Sequence, residues 1–166
     1  IFSSFAPFPG KATATEGYMP NISVARKKLE PLGVKLVKFS NSLTRKMPFG
    51  NEEFDLALNR HDAFCAKEVY RILKQGGTFL TQQVDSKNLE DLASEFHRKS
   101  IYGKWNAKIA EKLLTDTGFV IEDIRKFKGK TEFKDVGAIV YFARTLPWIF
   151  DNFSVDNDMK HLTRLQ

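Results

Sequence analysis

The order of short apolar segments along this chain constrains its fold more than any other feature. Segments with strand character alternate with segments that have the periodicity of a helix. The predicted strands cover 11–16, 34–39, 54–58 and 78–84, and the predicted helices between them cover 21–32 and 63–74. This alternation is typical of an α/β domain with a parallel sheet, because each helix carries the chain back to the same end of the sheet.

Local signals support these boundaries. Pro20 suits the first turn of the helix over 21–32, and Gly33 suits its end. The run FDLAL at 54–58 is nearly all apolar, which predicts a parallel strand buried on both faces. Gly76 and Gly77 are expected to end the helix over 63–74 and turn the chain into the next strand.

After Asp85 the pattern becomes mainly helical. Ser86 is the predicted N-cap of a helix over 86–98, and a second helix is predicted over 104–117. The β-branched and aromatic residues of 119–127 and 136–143 predict two strands that pair as a hairpin. A last helix is predicted over 154–166. With 166 residues and no repeat, the chain is interpreted as a single domain.

Composition narrows the classes of protein that this chain can be. The net charge of +6 permits an anionic partner such as RNA, but the basic residues are spread along the chain and mostly indicate solvated faces. A single cysteine, Cys65, excludes an internal disulfide and fits a reducing cytoplasm. No apolar run approaches the ~20 residues of a membrane span. No spacing of His, Cys and Asp predicts a metal site.

Polar residues follow three of the predicted strands. They lie at Glu16 to Tyr18, in the loop over 40–49 and at 59–62. In open α/β sheets, ligands bind beyond the carboxyl ends of the strands, so these segments are the candidate site. Glu16 has two interpretations of equal weight: it accepts hydrogen bonds from the hydroxyls of a ribose, or it is stabilised by the dipole of the helix that follows.

Three runs in this order resemble a known family: TATEGYMPNISVARKKLEPLGV, MPFGNEEFDLALNRHDAF and EVYRILKQGGTFLTQQV. They resemble the middle of class I S-adenosylmethionine-dependent methyltransferases of the methyltransferase-11-like type. That family shows an acid after its second strand, then "A-R-x-x-L…G-V", "L-P-F…F-D-x-V" and "E-x-x-R-x-L-K-P-G-G". The matching residues are Glu16; Ala25, Arg26, Leu29, Gly33 and Val34; Met47, Pro48, Phe49, Phe54 and Asp55; and Glu68, Arg71, Leu73, Lys74, Gly76 and Gly77.

The resemblance implies a Rossmann-like, three-layer αβα fold with a mainly parallel sheet and a closing antiparallel strand, to which the predicted hairpin over 119–143 is suited. It places the helical elements at 86–117 and 144–166 on the substrate side. The family's glycine-rich loop, "D-x-G-x-G-x-G", has no match in this sequence. We therefore expect about 40 further N-terminal residues that supply the first strand and this loop. The alternative is that this chain folds differently, for example by pairing with another chain. In either case we expect the chain alone to bind the cofactor poorly, because backbone amides near the methionine end of the cofactor would be absent.

The same resemblance assigns cofactor contacts residue by residue. Glu16 would hold the ribose of S-adenosylmethionine, with Gly17 beside it and Tyr18 packing on the adenine face. Asn41 and Ser42 are the nearest candidates for the contact to the adenine amino group, where the family often has Asp.

Asn59 and Arg60 follow the strand that in this family lines the methionine end of the cofactor. His61 is the candidate base, because the ordinary pKa of a histidine suits proton removal from an O–H or N–H. The alternative is a histidine that only shapes the site, and Asp62 is a candidate to orient it.

The predicted activity is transfer of a methyl group to an O, N or C nucleophile, with a small-molecule acceptor preferred and RNA second. The alternatives are an inactive Rossmann-like binding module, an RNA-binding or RNA-modifying protein and a nicotinamide-dependent dehydrogenase. His97 and His161 are interpreted as surface or rim residues, and the helix pair Glu68 and Arg71 as a surface ion pair. The candidate lining of an acceptor pocket is aromatic: Trp105, Phe133, Tyr141, Trp148 and Phe153.

Overall fold

The computed structural model describes residues 2–99, 103–146 and 149–166. The chain divides into two compact units, one ending at Gln82 and one beginning at Gln83. The first unit contains all the strands of the described residues, and the second contains only helices and irregular segments.

The first unit alternates strands and helices in the predicted order. Short 3₁₀ turns occur at Phe2–Phe5 and Glu30–Leu32. The strands are β1 (Thr13–Glu16), β2 (Lys35–Lys38), β3 (Phe54–Arg60) and β4 (Leu73–Gln82), and the helices are α1 (Met19–Leu29) and α2 (Ala66–Ile72). Pro20 lies in the first turn of α1, and Gly33 has a φ of 76° where the 3₁₀ turn after α1 ends, so both predicted signals are confirmed.

The strands form two parallel pairs. β1 pairs with β2 from Thr13 opposite Lys35 to Glu16 opposite Lys38. β3 pairs with β4, and the regular register runs from Leu56 opposite Thr78 onwards. Within the described residues these are two separate two-stranded sheets. The mixed α/β class and the four early strands are therefore confirmed.

The glycine pair after α2 lies inside a strand. β4 begins directly at Leu73, opposite Phe54, and the register then shifts before Leu56 meets Thr78. Gly76 has a φ of 74°, and a Cβ on Gly77 would lie 2.9 Å from the carbonyl oxygen of Lys74. The glycines therefore form a bulge in β4, where the sequence predicted a turn between the helix and a later strand.

The sheet of β3 and β4 is covered on one face. Phe79 of β4 packs against Phe64, with ring centres 5.1 Å apart in a T-shaped arrangement. On the alternate positions Leu56, Leu58 and Leu80 are 52%, 48% and 64% exposed. The prediction that β3 is buried on both faces is therefore wrong for this structure, because the packing from the α2 side reaches only one of them.

The second unit packs its helices around an aromatic and aliphatic core. Its helices are α3 (Glu90–Glu95), α4 (Ala107–Thr117), α5 (Val136–Thr145) and α6 (Val155–Arg164). None of the helices that the structure describes is long and apolar enough to cross a membrane. The buried core consists of Phe96, Ile139, Ala143, Phe150 and Leu162.

The predicted hairpin over 119–143 and its closing antiparallel strand are wrong. Residues 119–133 have no regular secondary structure, and the segment predicted as the second strand is helix α5. Asp135 caps that helix through a hydrogen bond from the Ala138 N–H at 2.7 Å. Ile139 and Ala143 are both buried, and their four-residue spacing suits a helix. Tertiary packing of this stripe outweighs the strand propensity of its β-branched residues.

Two helix starts in the second unit also differ from the prediction. Ser86 is not the cap of α3, which begins at Glu90 after Leu89 in the left-handed conformation. Helix α4 begins at Ala107, later than the predicted start at 104, because Asn106 caps it by accepting from the N–H groups of Lys108 and Ile109.

The start of the last helix agrees with the prediction. Ser154 caps α6 where the sequence predicted a helix start.

Candidate functional site

The end of β1 places a carboxylate beside the start of a helix. Glu16 is the last residue of the strand, and its Oε1 accepts a hydrogen bond from the Tyr18 N–H at 2.8 Å. The next residue, Met19, begins α1, whose positive dipole end favours a negative charge at this position. The carboxylate is therefore held in place by its own turn.

Gly17 brings the ends of β1 and β2 together. A Cβ at this position would lie 2.6 Å from the Cα and from the Cβ of Ser40, closer than van der Waals contact allows. The backbone bond from the Phe39 N–H to the Glu16 carbonyl continues the pairing of the two strands to this point. A glycine is needed here because the loop after β2 passes directly over it.

The loop after β2 is held by its own side chains. The Ser42 hydroxyl accepts from the Arg45 N–H at 2.9 Å, and the Arg45 guanidinium donates to the Ser40 carbonyl at 3.3 Å. Ser42 therefore stabilises the turn, which leaves Asn41 as the better placed of the two residues predicted to contact adenine.

Asn41 connects the ends of β2 and β3. Its Nδ2 donates to Oδ2 of Asp62 at 2.8 Å, and a carboxylate acceptor fixes which side of the amide carries the nitrogen. Its Oδ1 is buried and has no hydrogen-bond partner among the residues that the structure describes. The Oδ1 atom of Asn41 is therefore an oriented acceptor at the sheet edge where the predicted site lies. A buried acceptor without a hydrogen-bond partner lowers the free energy of unfolding.

The residues after β3 are held against β4. Asn59 accepts from the Thr81 hydroxyl at 3.2 Å, and Arg60 donates from Nε to the Gln82 side chain at 3.0 Å. The His61 backbone has a φ of 58°, and its N–H donates to the Gln82 carbonyl at 2.8 Å. The chain therefore turns sharply at His61 and presents its side chain to solvent.

Asp62 makes two contacts that the sequence did not predict. One carboxylate oxygen accepts from Asn41, and the other accepts from the Ala63 N–H at 2.9 Å. These contacts make Asp62 a support for the loop after β2, and its role in orienting His61 stays a prediction.

A half-buried ion pair holds the long loop before β3. Glu68 and Arg71 lie 2.7 Å apart on α2, with side chains 15% and 22% exposed. The Met47 N–H donates to Glu68 at 2.7 Å, and Arg71 donates to the carbonyl oxygens of Phe49 and Met47. The prediction of a surface pair is wrong because this loop folds over the helix. The hydrogen bond from Arg71, with that from Met47, lowers the pKa of Glu68.

Side chains predicted to line an acceptor pocket have different surroundings. Phe133 and Phe153 pack against the buried core of the second unit, whereas Tyr141 is 74% exposed. Trp105 is half-buried, and Trp148 lies outside the described residues. No group of three potential metal ligands occurs within the described ranges.

Comparison with solved structures gives a structural neighbour. No family model and no curated protein matches the sequence. The fold matches a crystal structure described as "a putative methyltransferase" from Bacillus halodurans C-125, with a TM-score of 0.59 and 26% identity. The match covers 74% of this chain and 58% of that one, so this chain spans little more than half of its neighbour. The chain is thus an α/β protein with the fold of a methyltransferase.

Proposed function

We propose that this chain belongs to a class I S-adenosylmethionine-dependent methyltransferase of the cytoplasm, which transfers a methyl group to an O, N or C nucleophile of a small molecule. The structural neighbour supports methyl transfer as the reaction class. The contacts at the ends of β1, β2 and β3 support the choice of cofactor. The single cysteine, half-buried and free, supports a reducing compartment.

The observation that carries the proposal is the pair of acceptors at the strand ends. Glu16 offers a carboxylate after β1, and Asn41 offers a buried oxygen with no partner among the described residues. An adenosyl group has donors that match both, because its ribose carries two hydroxyls and its adenine carries an amino group. The residues present therefore fit the adenosine half of the cofactor.

Each residue of the site has a separate task in this proposal. Glu16 binds the ribose, Asn41 accepts from the adenine amino group, and Tyr18, which is 65% exposed, covers the ring. When bound, the cofactor supplies the methyl group on a sulfonium. The protein contributes mainly by positioning and by excluding water, because methyl transfer needs in-line alignment of acceptor and donor.

His61 is the proposed base. It lies on the turn after β3 with its side chain in solvent, where an imidazole can take a proton from an acceptor hydroxyl or amine. Asn59 and Arg60 would border the methionine end. His61→Asn tests this role, because asparagine tolerates the positive φ at this position. Loss of transfer with unchanged cofactor binding supports the role, and unchanged transfer rules it out.

The first experiment measures binding of S-adenosylhomocysteine by calorimetry, at ligand concentrations suited to the weak binding expected of this chain. Glu16→Ala is expected to weaken binding about 10- to 100-fold, the usual cost of losing hydrogen bonds to a charged group. Glu30→Gln is the matched control, because Glu30 forms an exposed ion pair with Arg26. Equal affinity of wild type and Glu16→Ala would remove the ribose assignment, and a preference for NAD would favour a dehydrogenase.

The second experiment tests the adenine contact. Asn41→Leu removes the acceptor and is expected to weaken binding about tenfold, whereas Asn41→Asp keeps an oxygen and is expected to bind better than Asn41→Leu. Asp62→Ala is expected to give a smaller loss, since the amide can then rotate. Ser42→Ala is the control. If Asn41→Leu binds as wild type does, the adenine assignment fails.

Two other functions remain as outcomes of these measurements. An inactive binding module would bind S-adenosylhomocysteine but transfer no methyl group to any acceptor. An RNA-directed enzyme would bind RNA with an affinity that falls steeply with salt concentration. The exposed basic residues of 125–134 favour the RNA-directed enzyme as the second candidate, because they could contact phosphate groups.

A further inference from the structure

Two histidines that are distant in sequence meet in the second unit. His97 follows α3, and His161 lies on α6. Their ring centres are 4.8 Å apart, and the ring planes are nearly perpendicular, at 85°. The sequence predicts each as a separate surface or rim residue, because nothing in it shows that α6 packs against the end of α3.

The environment of this histidine pair is open on one side and apolar on the other. His97 is exposed, so solvent reaches the pair from its side. The Phe96 ring packs on His161 with ring centres 5.7 Å apart. Among the described residues, Nδ1 of His161 is buried and has no hydrogen-bond partner. In the tautomer that carries its hydrogen on Nε2, the unpartnered Nδ1 has a lone pair that a ligand can use.

Two arginines close to these histidines in sequence are paired with carboxylates. Arg98 is bound to Asp158 at 2.8 Å, and Arg164 lies 3.6 Å from Glu95. Each guanidinium therefore has its own carboxylate, and the repulsion between these arginines and a bound cation is reduced.

We propose that His97 and His161 bind a transition-metal dication of the Zn²⁺, Ni²⁺ or Cu²⁺ class. Imidazole nitrogens suit these ions, whereas Mg²⁺ and Ca²⁺ require oxygen ligands. With metal–nitrogen bonds of about 2.1 Å, the ion would lie roughly 3.2 Å from each ring centre. Two rings that bind one ion must then have centres no more than about 6.4 Å apart, and the observed distance of 4.8 Å meets this condition.

The remaining coordination positions go to water. No third His, Cys, Asp or Glu completes a cluster within the described residues. The site is therefore weaker than a structural zinc site with four protein ligands. Because the two ligands come from α6 and from the turn after α3, a bound ion would also fasten these two elements together.

The test is calorimetry with ZnCl₂ on the purified chain, with MgCl₂ as the comparison ion. Wild type is expected to bind one Zn²⁺ and no Mg²⁺. His97→Asn is expected to lower Zn²⁺ affinity at least about tenfold, and asparagine suits the φ of 54° at this position. His161→Gln is expected to have the same effect.

His61→Asn is a matched control, because it makes the same substitution at the same kind of backbone position, with a φ of 58°. His61 is the remaining histidine of the three in the chain, and it lies in the first unit. Its substitution, and Cys65→Ser, should leave Zn²⁺ affinity unchanged. The proposal is overturned if wild type binds no Zn²⁺, or if His97→Asn binds it as tightly as wild type. A dependence on His61 or Cys65 instead would also overturn it. Circular dichroism on each variant confirms that the fold is retained.

Discussion

The two units of this chain hold their elements together by different means. In the unit that ends at Gln82, parallel strands pair through their backbones, and polar side chains such as Glu68 and Arg71 hold the loops. In the unit that begins at Gln83, helices pack around Phe96, Phe150 and their neighbours, and a buried ion pair joins them. Order in the first unit therefore depends on backbone bonds, and order in the second on particular side chains.

The same comparison applies to burial. The first unit leaves the leucines of one sheet face, Leu56, Leu58 and Leu80, about half exposed or more, whereas the core of the second unit encloses Phe96 and Phe150 almost completely. A side chain in an enclosed core loses many contacts when it is altered, and one on an exposed face loses few. Substitutions in the second unit are therefore expected to have the larger effects on stability.

The largest effect is expected at the buried ion pair of the second unit. Arg98 and Asp158 are 17% and 6% exposed, and Arg98 also donates to the carbonyl oxygens of Phe96 and Asp151. Asp158→Asn or Arg98→Met leaves one buried charge without its partner and should cost about 3 kcal/mol of unfolding free energy.

Hydrogen exchange measured by mass spectrometry checks this prediction for each unit separately. Protection should fall in α5 and α6 while β1 to β4 keep theirs. Lys112→Ala is the control, because its ion pair with Asp116 is exposed and contributes little. Equal loss of protection in both units would contradict the prediction that this ion pair stabilises only the second unit.

The next effect is expected in the first unit, at Gly17. A methyl group at this position meets the backbone of Ser40 at 2.6 Å, so Gly17→Ala should cost about 2 kcal/mol and displace the loop that carries Asn41. Gly10→Ala is the control, since a Cβ there meets nothing within 4 Å. Chemical denaturation compares the two variants, and equal midpoints would show that the strand ends separate easily.

A smaller effect, dependent on pH, is expected at Glu68. Glu68→Gln removes the charge that Arg71 and the Met47 N–H stabilise, at an expected cost of about 1–2 kcal/mol near neutral pH. The folded-state pKa of Glu68 is lowered, so its contribution is complete above the unfolded pKa of about 4.3 and disappears as the pH falls through the folded value.

Denaturation of wild type and the Gln variant at several pH values measures this contribution. The stability difference should be constant above about pH 5 and should shrink below about pH 4. A difference that stays the same down to pH 3 would show that the charge of Glu68 contributes nothing.

The smallest effect is expected on the exposed sheet face. Leu80 is 64% exposed, so Leu80→Thr should change the unfolding free energy by less than about 0.5 kcal/mol. Phe79→Ala is the contrasting variant, because Phe79 packs on Phe64 from the other face and should cost several times more. A large loss at Leu80 would show that this face is covered in solution.

The sequence predicted the first unit better than the second, for a physical reason. Around β1, α1 and β2 the hydrophobic periodicity and the turn residues predict the same secondary structure, so local interactions determine these elements. In the segment that forms α5, β-branched residues favour a strand and the spacing of Val136, Ile139 and Ala143 favours a helix. Packing against Phe96 and Phe150 decides between them, and that contact is not visible locally.

The candidate site shows the same division. Its residue types and their place at strand ends follow from the sequence, as does the resemblance that assigns them. The bond between Asn41 and Asp62, the support of the loop by Glu68 and Arg71 and the meeting of His97 with His161 do not. These contacts join residues far apart in the chain, whose partners depend on how separate elements pack.

The α/β class, the four strands before Asp85 and the acidic and amide side chains that follow them can be predicted from the sequence alone. Backbone periodicity and turn chemistry act over a few neighbouring residues, so they can be read without a structure. Three other features depend on tertiary packing: residues 136–145 are helical, one face of β3 and β4 is exposed, and certain polar atoms lack partners among the described residues. Burial and pairing are properties of the packed chain, because they depend on which distant segments exclude water from a given side chain.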